Sequence, residues 1–184
     1  MATCSTPQWS NKYTPQARLT VTQTSSTATT ATYTWTLEYV TYGYPAKVQK
    51  TRAYTVTFDG VVIKEGTFAI HGVTNTTTIA TGTVTKTKGT SARTITFGIS
   101  FVFNLTWSDV YGGTQTASGT ISLGAKTSYL ISYSENGGSG APGSQVKWHG
   151  TALTLSSTKP TRTGYTFLGW STASTATTAT WSAG

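Results

Sequence analysis

Residues 31–39 carry the sequence ATYTWTLEY, in which every second residue is apolar or aromatic and most of those between are threonine. This two-residue period places the large side chains on one face of a strand and the hydroxyls on the other. The longer stretch ITFGISFVFNLTW, residues 95–107, repeats the pattern. Both segments therefore predict β-strands, and the longer one predicts a strand in the core.

Weaker copies of the same period occur along the first two thirds of the chain, and no stretch has a convincing helical period. They lie at Leu19/Val21, Tyr54/Val56/Phe58, Phe68/Ile70, Ile79/Val84 and Ala117/Ile121/Leu123. The pair Asp59-Gly60 predicts a two-residue hairpin turn, because both residue types tolerate positive φ. Ser25 to Thr30, a tract of Ser, Thr and Ala, predicts a loop. About seven strands at this spacing indicate an antiparallel β-sandwich of immunoglobulin-like size over residues 1–127.

The composition supports an all-β protein. Of 184 residues, 44 are threonine, which suits a pleated sheet better than a helix. Aromatic residues make up 12% of the chain, so a packed core is favoured over disorder. No apolar run has the length of a membrane helix, and the first residues do not resemble a signal peptide, so synthesis in the cytosol without membrane insertion is expected. The single cysteine, Cys4, has no partner for an internal disulfide.

The net charge of +8 comes from thinly spread basic residues. Two local groups could meet an anionic polymer such as nucleic acid or a phosphate-bearing wall glycan: Lys47, Lys50 and Arg52, and Lys86, Lys88 and Arg93. Neither group is dense. The preferred interpretation is that these cations blunt sheet edges and maintain solubility, so nucleic-acid binding is not expected.

Catalytic machinery is not indicated by the sequence. The five acids, Glu38, Asp59, Glu65, Asp109 and Glu135, are scattered and suggest no pair of facing carboxylates. No Gly-x-Ser-x-Gly motif is present, and neither His71 nor His149 has a neighbouring acid at an orienting or metal-ligating spacing. We therefore expect no enzyme activity, no cofactor and no metal site.

Ligand binding is harder to exclude, because sugars are held by flat aromatic faces and by hydroxyl or amide edges. Tyr42, Tyr44 and Tyr111 lie in predicted turns and are the candidate ligand-binding residues. The preferred alternative for them is packing or protein–protein contact.

The residues after Lys126 form a separate small module, predicted over residues 128–184. Tyr129 to Ser134 and Ala152 to Leu155 predict strands, and Val146 to Gly150 is assigned to the end of a loop. Tyr165, Phe167 and Trp170 are expected to form a miniature core. The module resembles the Listeria-Bacteroides repeat, or internalin B-repeat, through Asn136-Gly137-Gly138, His149-Gly150, Leu153, Leu155, Pro160 and Gly164-Tyr165-Thr166-Phe167-Leu168-Gly169-Trp170.

The resemblance implies a β-grasp-like module of bacterial and phage surface proteins. That repeat normally continues past its Gly-Trp into a closing strand, whereas this sequence ends at Trp181-Ser182-Ala183-Gly184. The expectation is therefore that the last strand is missing, that an edge is left unpaired, and that the sequence belongs to a longer protein.

Residues 1–127 resemble, more diffusely, the opening domain of siphophage minor structural proteins. The matching pieces are Met1-Ala2-Thr3, Trp9-Ser10, Lys88-Gly89-Thr90 and Ser118-Gly119-Thr120-Ile121-Ser122-Leu123. Tyr42-Gly43-Tyr44-Pro45 departs from the family pattern, and a His-Asn-Ala-Asp-Gly turn common there is absent.

Together the two resemblances imply a non-enzymatic virion structural protein, a tail-tip, baseplate or fibre component that contributes to host attachment. Its expected location is the virion, after assembly in the host cytoplasm. Other virion proteins, further copies of the chain in a homo-oligomer such as a trimer, and a host cell-wall polysaccharide are the expected partners. The alternatives are a capsid or neck decoration or head fibre protein, and a fragment of a bacterial surface adhesin.

Overall fold

The computed structural model of the protein describes residues 1–7, 15–41, 51–69, 73–103 and 113–184. These residues contain ten β-strands and no helix, so the all-β prediction is confirmed. No helix with the length and apolar character of a membrane span is found within the same ranges. The chain divides into two compact units, Met1–Ala125 and Lys126–Gly184.

The first unit consists of two four-stranded antiparallel sheets. One sheet contains β1 (Ala2–Ser5), β2 (Gln16–Ser26), β3 (Thr30–Val40) and β6 (Thr77–Thr87), in the order β1-β2-β3-β6. The other contains β4 (Thr51–Phe58), β5 (Val61–Ala69), β7 (Arg93–Val102) and β8 (Thr114–Leu123), in the order β5-β4-β7-β8. Strands β3 and β7 therefore occupy inner positions, as their strong alternation predicts.

The inward faces of the two sheets meet in one aromatic core, which confirms the sandwich-type fold. The rings of Tyr33 and Phe58 lie 5.3 Å apart across it, and those of Tyr39 and Phe101 lie 6.1 Å apart. The Tyr33 hydroxyl donates a 2.8 Å hydrogen bond to the carbonyl of Ser122, so its one polar atom is satisfied. Packing rather than covalent cross-linking holds the sheets together in the described chain.

The structure of the first unit differs from the sequence prediction at two places. Strand β1 was not predicted, because four residues are too few to establish a period. Ser25 to Thr30 was predicted to be a loop, yet only residues 27–29 lie outside β2 and β3. The Thr27 amide donates to the Thr30 carbonyl at 2.8 Å, and this bond closes a tight turn that lets the strands continue almost to its tip.

The hairpin between β4 and β5 agrees with the prediction. Asp59 and Gly60 are its only two loop residues, and their φ angles are 56° and 76°. Positive φ at both positions is the geometry of a type I′ turn, whose twist matches that of the flanking strands.

The second unit contains a two-stranded antiparallel sheet, β9 (Ser128–Ile131) and β10 (Gln145–Trp148). Ala152 to Leu155, predicted to be a strand, lies outside strands, and β10 occupies the segment assigned to the end of a loop. Trp181 forms an isolated antiparallel bridge with Trp170, outside the β9–β10 sheet, and the expectation of a missing closing strand with an unpaired edge stays a prediction. The strand prediction for Ala152 to Leu155 and the loop assignment for Val146 to Gly150 were wrong because pairing with another strand, and not the short local pattern, selects which segment becomes extended.

Candidate functional site

The tyrosines predicted to bind ligand, Tyr42, Tyr44 and Tyr111, lie outside the described residues, and that prediction stays untested. Lys47 and Lys50 of the first basic group also lie outside them. The described chain offers other features: a set of ion pairs on the first unit and two exposed aromatic surfaces on the second.

Two cations of the second basic group, Lys86 and Arg93, bind the carboxylate of Asp59. Arg93 donates two parallel hydrogen bonds to the Asp59 carboxylate, at 2.8 and 2.7 Å, and the Lys86 amine lies 3.0 Å from it. Hydrogen bonds from these two cations, Arg93 first, hold the pKa of Asp59 well below its ordinary value. The cluster ties the β4–β5 turn to β6 and β7, which is a structural role.

Lys88, the third cation of that group, is buried. Its amine donates 2.7 Å hydrogen bonds to Ser26 Oγ and to the Thr27 carbonyl, so it supports the β2–β3 turn. Arg52 of the other group is buried as well. Arg52 and Lys88 are therefore buried parts of the fold, whereas the preferred interpretation expected exposed cations that blunt sheet edges and maintain solubility. Whether the chain binds nucleic acid stays a prediction.

Two carboxylates of the described ranges are bound by neighbouring cations. Glu38 forms an ion pair with Arg18 at 2.9 Å, and Asp59 is held as described above. No group of three or more His, Cys, Asp or Glu side chains in the described part of the chain could hold a metal ion.

The core of the second unit is built on Trp170. Its ring packs 4.6 Å from Tyr133 and 5.0 Å, edge-on, from Phe167, and its amide donates to the Trp181 carbonyl at 2.8 Å. Tyr165, expected in this core, is instead 67% exposed and stacks under Arg162, whose guanidinium lies 4.1 Å from its ring centre. Arg162 is oriented by a 3.1 Å hydrogen bond to the Asn136 carbonyl.

A second exposed aromatic surface lies at one end of the β9–β10 sheet. Tyr129 of β9 is 48% exposed, and its hydroxyl lies 3.1 Å from Nδ1 of His149. Lys147 of β10 pairs directly across from Tyr129, which puts the two side chains on the same face of the sheet. We call Tyr129, Lys147 and His149 the Tyr129 platform.

The backbone fixes the platform from both sides. The His149 amide donates a 2.9 Å hydrogen bond to the Thr127 carbonyl, which extends the β9–β10 ladder by one step. The Lys147 amine donates to the carbonyls of Trp148 and Thr151 and so stays close to the strand. The result is an exposed phenol ring whose hydroxyl lies beside an imidazole, while the Lys147 amine is held by two backbone carbonyls. A phenol ring beside an imidazole suits the CH face of a sugar together with one of its hydroxyl groups.

The Tyr129 platform was not predicted from the sequence, because the segment containing Lys147 was assigned to a loop. The signal in the sequence is a pair of short segments, 128–131 and 145–148, that flank a glycine-rich stretch and could pair as strands, but four residues each are too few to fix that pairing.

The architecture defines an all-β protein in which a two-sheet sandwich precedes a small repeat module. Residues 129–184 match the Listeria-Bacteroides repeat domain, which confirms the resemblance for the second unit. The comparisons give no support to the likeness of the N-terminal part to siphophage minor structural proteins. No curated protein and no solved structure matches the chain.

Proposed function

We propose that the chain is a non-enzymatic structural component of a bacteriophage virion, at the tail tip, baseplate or fibre, that contributes to host-surface attachment. The observation that carries the proposal is the combination of a threonine-rich sandwich with a Listeria-Bacteroides repeat that presents the Tyr129 platform. In this proposal the sandwich is the structural part, and the repeat contacts a wall polysaccharide.

The sandwich suits a particle that leaves a reducing cytosol and meets harsher media. Its core consists of apolar and aromatic side chains, and Cys4, the only cysteine of the chain, is buried within it. Burial raises the pKa of the Cys4 thiol to about 11, so little reactive thiolate forms near neutral pH. A sheet structure of this kind does not depend on the redox state of its surroundings.

The Tyr129 platform is small, and one tyrosine with two polar neighbours gives weak binding. Several copies on one particle would multiply weak contacts through avidity. The proposal therefore places the effective affinity in the assembled virion and only modest affinity in the isolated chain.

Binding to purified Gram-positive cell walls tests the attachment role. The chain, displayed in many copies on beads, should sediment with walls that carry their polysaccharides and not with walls from which these have been removed. Tyr129→Ala should reduce retention strongly. Leu130→Ala is the matched control, since Leu130 is exposed on the opposite face of the same strand. Equal retention of both variants, or equal binding to stripped walls, would contradict a polysaccharide site at Tyr129.

The repeat domain by itself favours a second candidate, a bacterial surface adhesin, because such a repeat is equally suited to a bacterial cell surface. Immunogold electron microscopy with an antibody against the sandwich separates the two. Labelling of phage particles supports the virion role, and labelling of bacterial envelopes in phage-free cells replaces it with the adhesin.

A further inference from the structure

A turn of the second unit brings Arg162 and Tyr165 together at its surface. The Tyr165 amide donates a 3.1 Å hydrogen bond to the Arg162 carbonyl, and Gly164, the third of the four turn residues, has a φ of 79°. Positive φ at this position alone is the geometry of a type II turn, which glycine adopts without strain. The turn thus sets the guanidinium carbon of Arg162 4.1 Å from the centre of the phenol ring.

A neighbouring Asn-Gly-Gly turn also holds Arg162. Ser139, directly after this turn, exchanges two 2.9 Å backbone hydrogen bonds with Thr161. A Cβ at Gly138 would lie 2.5 Å from the Thr161 carbonyl oxygen, so the close approach requires glycine. The Asn136 carbonyl then accepts the 3.1 Å hydrogen bond from Arg162. Two backbone turns and one ring therefore orient the guanidinium before any ligand binds.

Most of the hydrogen-bonding capacity of Arg162 is not used by the protein. A guanidinium carries five N–H donors. Within the described chain Arg162 makes one hydrogen bond, the one to Asn136, and its side chain is exposed. Arg18 and Arg93 of the first unit each bind a carboxylate, whereas the ion pairs among the described residues do not include Arg162. Arg162 therefore presents oriented donors that lack an acceptor.

The charge of the second unit favours an anion as that acceptor. Its basic side chains are those of Lys126, Lys147, Lys159 and Arg162, and its one acidic side chain is that of Glu135. Glu135 takes part in none of the ion pairs found in the described ranges. A surface with this excess of positive charge attracts anions, and no carboxylate of the unit competes for Arg162.

The ring of Tyr165 indicates what carries the anion. Tyr165 is 67% exposed although the guanidinium covers part of it, so flat apolar ring surface remains for the CH face of a sugar. A peptide fits less well, because peptides are recognised through free sheet edges, grooves or clusters of arginines. Here the backbone closes a turn, and one arginine lies beside one ring, which matches a single sugar unit in size.

We propose that Arg162 and Tyr165 bind a sugar unit that carries a carboxylate or phosphate group. The guanidinium donates two parallel hydrogen bonds to the anion, a geometry that both oxyanions accept, and the sugar ring packs on the phenol ring. The site shares no residue with the Tyr129 platform. The inference therefore holds for a virion protein and for a bacterial adhesin alike.

Nuclear magnetic resonance of the full 184-residue chain tests the site directly. Glucuronate supplies the carboxylate, and glucose 6-phosphate supplies the phosphate. One or both should shift the Nε–H signal of Arg162 and the ring signals of Tyr165, and should bind about fivefold or more tightly than glucose, acetate or inorganic phosphate. The tighter of the two identifies the preferred anion.

Three results of these titrations would overturn the proposal. If neither sugar acid shifts the Arg162 signal, the site does not bind them. If inorganic phosphate or acetate binds as tightly as the sugar acids, Arg162 holds an adventitious ion only. If a peptide of three glutamates binds Arg162 more tightly than either sugar acid, the ligand is an acidic peptide.

Variants separate the site from general attraction to a basic surface. Arg162→Gln should weaken binding of the sugar acid about tenfold or more. Lys159→Gln is the matched control, because it removes the same charge from an exposed residue three positions away. An equal loss in both variants would mean that net charge alone attracts the ligand, and the proposal would be wrong. Unchanged hydrogen exchange at the Trp170 amide verifies that Arg162→Gln is folded.

Tyr129→Ala distinguishes this site from the Tyr129 platform. The variant should bind the sugar acid like the wild type and should still shift the Arg162 signal, even if it no longer binds cell walls. Loss of sugar-acid binding in Tyr129→Ala, with binding retained in Arg162→Gln, would assign the ligand to the platform and overturn the inference.

Discussion

At the scale of single residues, three of the four edge strands of the sandwich share one packing arrangement. A large aromatic on an inner strand lies in direct register with a glycine on the neighbouring edge strand, and its ring covers that glycine. The pairs are Trp35 with Gly82, Tyr54 with Gly66, and Phe97 with Gly119. A Cβ added to these glycines would lie 2.6 to 2.7 Å from the ring or hydroxyl of its aromatic partner. The large core rings fit because each glycine leaves free the space that a side chain on the edge strand would occupy.

Gly82→Ala should therefore destabilise the first unit. The new Cβ would lie 2.6 Å from the Trp35 ring, which is buried and cannot move freely. Overpacking of this kind lowers the free energy of unfolding by about 1–3 kcal/mol. Gly124→Ala is the control, since a Cβ there meets nothing within 4 Å. Urea denaturation followed by tryptophan fluorescence compares them, and an equal midpoint for both variants would refute the steric role of Gly82.

The Asp59 cluster predicts a specific dependence of stability on pH. Because Arg93 and Lys86 lower the pKa of Asp59 in the folded state, their stabilisation is present above the ordinary carboxyl pKa of 3.8. It is lost as the pH falls below about 4 and the carboxylate is protonated. Asp59→Asn keeps a residue that tolerates positive φ and removes the charge. The wild type should melt above the variant at neutral pH, and the difference should vanish in strong acid.

Two further measurements distinguish the contribution of the ion pairs to stability from that of the turn conformation. Raising the salt concentration should narrow the neutral-pH difference, because the cluster is partly exposed and is screened. Glu65→Gln, which removes an exposed carboxylate of β5, should show no comparable effect. If Asp59→Asn melts with the same pH profile as the wild type, the cluster does not contribute to stability.

At the scale of single elements, β1 depends on contacts at its C-terminal side. Four residues pair with β2, and the ladder is prolonged by Thr6, which is buried. The Thr6 hydroxyl accepts a 3.0 Å hydrogen bond from the Ala17 amide, and the Thr6 amide donates to the Ala17 carbonyl at 2.9 Å. Thr6 thus anchors a strand that is too short to be held by its own ladder.

Alkylation of Cys4 should report the opening of β1. The thiol is buried and its pKa is raised to about 11, so reaction near neutral pH requires the strand to detach. Thr6→Val removes one hydrogen bond worth about 0.5–1.5 kcal/mol and should accelerate labelling roughly two- to tenfold. Thr3→Val, at an exposed position of β1, is the control. Unchanged labelling of Thr6→Val would show that Thr6 does not hold β1 in place.

A strand could be predicted when its own residues carry a long alternating pattern, and it was missed when it forms only through pairing with another segment. β3 and β7 were predicted because their alternation is long and their core side is apolar or aromatic at every step. β1 and β10 were missed because four residues carry too little period, and each becomes a strand only through its partner. The Tyr129 platform depends on that same β9–β10 pairing, so it could not be found from single positions. The glycines opposite aromatics depend on register, which the sequence alone does not fix.

At the scale of the whole molecule, the two units differ sharply in the core that each can build. All the buried residues of the main hydrophobic cluster belong to the first unit, from Cys4 to Leu123. In the second unit Trp170 is the one hydrophobic residue that is buried, and Leu130, Tyr165 and Leu168 are largely exposed. The second unit should therefore be less stable than the first, because small domains bury a smaller fraction of their apolar surface.

Calorimetry of the full chain should therefore show two transitions, with the second unit unfolding at the lower temperature. Trp170→Ala removes the ring on which Tyr133 and Phe167 pack and should lower or abolish only that transition, at a cost of about 3–5 kcal/mol. Leu168→Ala, at an exposed position two residues away, should leave both transitions in place. Hydrogen exchange should assign the loss to residues 126–184, since no residue of that unit belongs to the sandwich core. If Trp170→Ala instead weakened the protection of β3 and β7, the two units would share one cooperative structure and the sandwich could not fold independently of the repeat.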